Sequence, residues 1–67
     1  MTVIVNGVRN SLSGECTLEA LMEQLGKATH RGIAVALNGS VVSADSWPTH
    51  CLVEGDEVLI IQATQGG

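Results

Sequence analysis

The chain has 67 residues and a formal net charge of −4, which is length for one domain and no second. With 45% hydrophobic and 15% charged residues it has enough apolar content to fold alone, unlike a disordered chain. Its one Trp, its lack of Phe and Tyr, and three Lys+Arg against seven Asp+Glu exclude base stacking on aromatic rings and binding to a phosphate backbone.

In chain order, Val3-Ile4-Val5 and Val8 to Leu12 flank Asn6-Gly7. Asn-Gly between β-rich runs predicts a hairpin, because both turn residues tolerate positive φ. The second strand is the more polar and belongs at an edge. Thr17 is placed to cap a helix through its hydroxyl, and Glu19 falls in the first turn, where the helix dipole favours a carboxylate. Leu18, Leu21, Met22 and Leu25 share one helical face, and Gly26 ends the helix in a left-handed conformation. So short a helix must gain its stability by docking that stripe on a sheet. Lys27 to Gly32 is a polar link. Ile33 to Leu37 is apolar at every position, as in a central strand with both faces covered. Asn38-Gly39 repeats the turn, and Val41-Val42 is a short return strand. Ser43 to His50 is irregular, with Trp47 anchored over the end of the core; a stacked ligand is the lesser reading of that ring. Glu54-Gly55-Asp56 is a turn whose acidic residues, with Glu57, form a solvated face, with steering of a basic partner as the alternative reading. Glu57 to Ala63 is the last strand, followed by Thr64-Gln65-Gly66-Gly67.

This order predicts an α+β fold, a mixed sheet of four to five strands with one helix packed on one face. If the first and last strands pair centrally they run parallel, with hairpin partners outside each. That is the β-grasp, ubiquitin-like arrangement. It divides the chain into a domain at 1–63 and a flexible tail at 64–67. No apolar run is long enough to span a bilayer, and Met1 to Gly7 lacks the basic segment of a signal peptide. The expectation is a cytoplasmic protein, monomeric when free. Cys16 and Cys51 are far apart in sequence. They are read as reduced thiols, Cys51 as a small buried hydrophobe, with a disulfide as the alternative. Cys16, His30, His50 and Cys51 lack zinc-site spacing, and nothing orients a base toward either thiol, so neither a metal nor a catalytic residue is expected.

Two features can carry function. Gly66-Gly67 on an uncharged tail holds a bare carboxylate away from the body. Glycine fits a narrow channel, and a carboxylate becomes a good electrophile once joined to a nucleotide phosphate; ordinary fraying of a glycine-rich end is the bland alternative. The second feature is the last strand. Its alternation puts Val58 and Ile60 on one face and Leu59 and Ile61 on the other, yet one helix covers only one face. By analogy with ubiquitin, Val58 and Ile60 face the helix. Leu59 and Ile61, beside Ile4, Ala34 and Ala36, then form an exposed docking surface, unless the Ser43 to Cys51 segment folds over it.

Arg31-Gly32 with the apolar strand ending in Asn38-Gly39, then Val41-Val42, Trp47, Leu52, Glu54-Gly55-Asp56 and Gln65-Gly66-Gly67, resembles the sulfur carrier family of thiamine biosynthesis over the whole chain. The resemblance implies a protein cosubstrate, not an enzyme. An E1-like adenylyltransferase (ThiF-type) would adenylate the Gly67 carboxylate with ATP and Mg²⁺. A persulfide from a cysteine desulfurase route would convert it to a thiocarboxylate, and thiazole synthase (ThiG-type) would take the sulfur. Gly66 and Gln65 would give the tail access to those active sites, and no cofactor would be bound by the carrier itself. One departure is Ser43-Ala44-Asp45, where the family often carries Pro and a basic residue. The alternatives are a ubiquitin-like modifier joined to lysine through Gly67, a sulfur carrier for molybdopterin or cysteine synthesis, and a plain interaction domain with inert glycines.

Overall fold

A computed structural model describes residues 1–27 and 32–62. The expectations for Ala28 to Arg31, including His30, and for 63–67 lie outside the described residues. Both Asn-Gly pairs form two-residue turns with positive φ at each position: 49° and 83° at Asn6 and Gly7, 49° and 89° at Asn38 and Gly39. That geometry matches the twist of paired strands. It closes β1 (Thr2–Val5) on β2 (Val8–Ser11), and β3 (Ile33–Leu37) on β4 (Ser40–Val42). The last strand, β5 (Glu57–Gln62), inserts between the hairpins, parallel to β1 and antiparallel to β3. The sheet order is β2-β1-β5-β3-β4, five strands with the first and last paired as the sequence implied. Outside β5, however, lies β3, a strand from another hairpin.

The helix α1 (Leu18–Gln24) begins as Thr17 predicts: the Thr17 hydroxyl accepts from the Ala20 amide at 3.1 Å. It ends through paired bonds, Gly26 N to Glu23 O at 3.0 Å and Lys27 N to Met22 O at 2.7 Å, with Gly26 at φ 75°. This satisfies carbonyls that a helix end leaves free. Leu18, Leu21 and Met22 are fully buried against Val3, Val5, Val35, Leu37, Val58 and Ile60 of the sheet, with Leu25 packed at the margin. The segment Ala44–Thr49 is a 3-10 helix, not irregular chain. Ser43, at the position of the departure noted above, caps it by accepting from the Asp45 amide at 3.3 Å. Trp47 is the anchor expected: it is buried, and its indole N–H donates to the Val42 carbonyl at 3.2 Å.

Two expectations change. Cys16 and Cys51 are disulfide-bonded, with Cα atoms 5.1 Å apart. Thirty-five residues separate them in sequence, but Thr17 and Cys51 meet in an antiparallel bridge that brings the cysteines together. Cys51 is exposed rather than buried. The acidic turn is not wholly a solvated face either, because Asp56 is buried. Its carboxylate accepts from the Val53 amide at 2.9 Å and from the Asn38 side chain at 3.0 Å. An anion can be buried when its oxygens are so occupied.

The two turn asparagines also hold β5. β1 stops at Val5, and the Asn6 side chain continues its ladder, accepting from Ile60 N at 2.8 Å and donating to Ile60 O at 3.3 Å. Asn38 Oδ1 accepts from Glu57 N at 3.0 Å. Asn6→Ala removes both side-chain bonds and leaves alanine in the left-handed region, so chemical denaturation should show a loss of about 2–3 kcal/mol. A loss below about 0.5 kcal/mol, the range of an ordinary surface substitution, contradicts this role.

Candidate functional site

The pleat of β5 sorts its side chains as the sequence predicts. Val58 and Ile60 are buried under α1, while Leu59 and Ile61 stand 49% and 56% exposed. Register places Leu59 opposite Ala36, Ile61 opposite Ala34, and Ile4 in line with Glu57 on the same outer face. Ala34 is exposed; Ile4 and Ala36 are half-buried by their neighbours. The five residues therefore lie together on one apolar face, with a shallow recess between Ile4, Ala36 and Leu59. Among the described residues β3 is correspondingly covered on one face only, unlike the strand its five apolar residues suggested. The Ser43 to Cys51 segment does not fold over the outer face, because its 3-10 helix packs against α1 with Trp47 turned into the core.

Sequence reasoning missed Val41. It pairs with Ala36 on the outer face and is 80% exposed. The signal was available: a two-residue Asn38-Gly39 turn fixes the register of β4 and hence the face on which Val41 sits. Arg9 lies opposite Ile4 at one margin of the patch, and Glu57 follows on the other side of Ile4. The apolar face thus has one cation and one anion close to its β1 end.

Beyond Ile61, Gln62 pairs with Ile33, and its side-chain oxygen accepts from Lys27 Nζ at 3.1 Å. The end of β5 is thereby tied to the chain leaving α1. Gln65, Gly66 and Gly67 lie outside the described residues. Among the described residues no group of three or more His, Cys, Asp or Glu is placed to hold a metal. No helix there is long and apolar enough to cross a membrane.

A five-stranded mixed sheet clasping one helix, with its last strand central and running out toward two glycines, defines the ubiquitin-like β-grasp class. Within that class the chain belongs to the ThiS family, whose sequence model matches residues 3–67. It is 30% identical over 67 residues to the sulfur carrier protein ThiS of Escherichia coli (strain K12), with 100% of both chains covered. The crystal structure of the thiamine biosynthesis protein ThiS from Geobacter metallireducens superposes with a TM-score of 0.81 at 26% identity, again over 100% of each chain. SAMP1 from Haloferax volcanii superposes at 0.63 and 18% identity, covering 100% of this chain and 98% of SAMP1, a likeness of fold alone. The family is one of sulfur carriers in thiamine biosynthesis, small proteins on which partner enzymes act, rather than catalysts.

The assignment of faces is tested by a pair of substitutions on neighbouring residues. Ile60→Ala should cost about 2–4 kcal/mol, because it opens a cavity under α1. Leu59→Ser should stay within about 0.5 kcal/mol of the parent in the same denaturation assay. Equal losses at the two positions contradict the one-sided sheet.

Proposed function

We propose that Gly67 is the sulfur-carrying residue, and that the tail 64–67 presents it to two enzymes in turn. The observation that carries this reading is the extent of the family match, which runs through the terminal glycines to residue 67. The geometry supports it: β5 is held in the middle of the sheet, so a tail leaving its end starts from a fixed point. An E1-like adenylyltransferase attaches AMP to the Gly67 carboxylate, using ATP and Mg²⁺ and releasing pyrophosphate. A persulfide sulfur supplied through a cysteine desulfurase route then displaces AMP to give an acyl disulfide; a second thiol attacks the inner sulfur of the donor, forms a disulfide with it and releases the acyl-bound sulfur as the thiocarboxylate. Thiazole synthase takes that sulfur into its substrate, and an oxygen from the substrate or from water replaces it on Gly67 to restore the carboxylate. Gly66 and Gln65 thread the enzymes' channels, since glycine adds no side chain to the passage.

In this proposal the outer face, Ile4, Ala34, Ala36, Leu59 and Ile61 extended by Val41, docks each enzyme while the tail is inserted. Burial of such an apolar patch favours association. The carrier binds no cofactor of its own, acts in the cytoplasm and is monomeric when free. Formation of the thiazole product in a mixture of carrier, activating enzyme, ATP, Mg²⁺, sulfur donor and thiazole synthase tests the proposal. Deletion of Gly67 should abolish product without altering the melting temperature. Leu59→Asp combined with Ile61→Asp should slow turnover about tenfold or more, by placing charge where a partner needs apolar contact. Full turnover by the deletion variant overturns the assignment of Gly67. Lysine-linked adducts in place of thiazole identify a protein modifier instead.

A further inference from the structure

We propose that the Cys16–Cys51 pair is a reversible redox staple that sets the stability of the domain and takes no part in sulfur transfer. Backbone hydrogen bonds join the two segments alongside the crosslink. Leu18 N donates to His50 O at 2.8 Å and Leu52 N donates to Cys16 O at 2.7 Å, flanking the Thr17–Cys51 bridge. A Cα separation of 5.1 Å is within the range a disulfide spans. In this proposal the same hydrogen bonds persist in the reduced form and keep the two thiols within reach of each other. The bond closes a loop over a sequence separation of 35 residues and ties the start of α1 to the segment that carries Trp47. Closing a long loop restricts the unfolded chain, which matters most in a domain with so small a core.

Two further observations define the role. Cys51 is exposed, so a small thiol can reach the bond. The pair also lies at the start of α1, whereas Lys27, just beyond its other end, contacts Gln62 at the end of β5. Seven helical residues, roughly 10 Å of rise, lie between them. The crosslink thus lies at the opposite end of α1 from the Lys27–Gln62 contact at the end of β5. Its chemistry is thiol–disulfide exchange: two protein thiols and one low-molecular-weight disulfide, such as oxidised glutathione, give the protein disulfide and two small thiols. Two electrons and two protons pass to the small disulfide, and an excess of small dithiol reverses the step.

The test uses the full-length protein equilibrated with oxidised glutathione or with dithiothreitol. The oxidised form should be lighter by the mass of two hydrogens and should resist alkylation; the reduced form should accept two alkyl groups. Reduction should lower the melting temperature by about 10–20 °C. Amide chemical shifts should change around residues 15–18 and 49–52 and hold at 57–62. The double variant Cys16→Ser, Cys51→Ser should melt with the reduced parent and ignore dithiothreitol. Two thiols that persist after equilibration with oxidised glutathione overturn the proposal, as does a melting temperature indifferent to reduction. So does a loss of the shifts at 57–62. None of these readouts involves Gly67, so the staple and the sulfur-carrying tail stand or fall separately.

Discussion

The rest of the structure depends on how β5 is held. It is the last strand made and the middle strand of the sheet, and the neighbours on its two sides come from separate hairpins. Neither neighbour matches its length at both ends. The Asn6 side chain supplies the hydrogen bonds that β1 no longer offers, and Asn38 does the same where β5 begins. Asn38 also shares Asp56 with the Val53 amide, so the turn into β5 is fixed along with the strand. Backbone groups taken from water require partners, and at the part-buried Ile60 backbone the Asn6 amide provides them. The same two residues make the tight turns that close the hairpins. One residue type at two positions thus shapes each hairpin and locks both onto the strand that leads to the tail.

A single helix on a five-stranded sheet has a second consequence. α1 and the 3-10 helix share one side, where Trp47, Leu18, Leu21 and Met22 fill the core. Among the described residues no layer covers the other side, and its centre is aliphatic. On the proposed reading, such a face would supply contact area to each partner without rearrangement of the domain, with chemistry left to the tail and recognition to the body. The low aromatic content agrees with this division. The one Trp is in the core, and the exposed patch is built from small and aliphatic side chains, with Arg9 and Glu57 beside Ile4 at one end.

Much of this was legible from residue order. The Asn-Gly pairs gave both hairpins because few other dipeptides accept positive φ at both positions. The Leu18, Leu21, Met22 and Leu25 stripe gave the helix and its buried side, and alternation along β5 gave both faces of the sheet. What was hidden depended on contacts distant in sequence. Nothing near Cys16 announces Cys51, because the bridge between their segments exists only after the 3-10 helix turns the chain back. Asp56 looked solvated beside Glu54 and Glu57, since its partners are an amide three residues away and a side chain in another hairpin. From sequence Asn6 and Asn38 are turn residues alone, because their hold on β5 appears only with the sheet order. Val41 was within reach of register counting from Asn38-Gly39. The terminal glycines are legible in the residues themselves, and the family match extends over them.

The central claim is that a rigid β-grasp body delivers one reactive carboxylate, on Gly67. Fragment-ion mass spectrometry tests it most directly, on the carrier recovered after incubation with its activating enzyme, ATP, Mg²⁺ and a sulfur donor. The account predicts one sulfur in place of one oxygen, confined to fragments that contain Gly67, with Cys16 and Cys51 unmodified. Sulfur found on either cysteine, or an unchanged C-terminal fragment in the presence of competent activating enzyme, would contradict it.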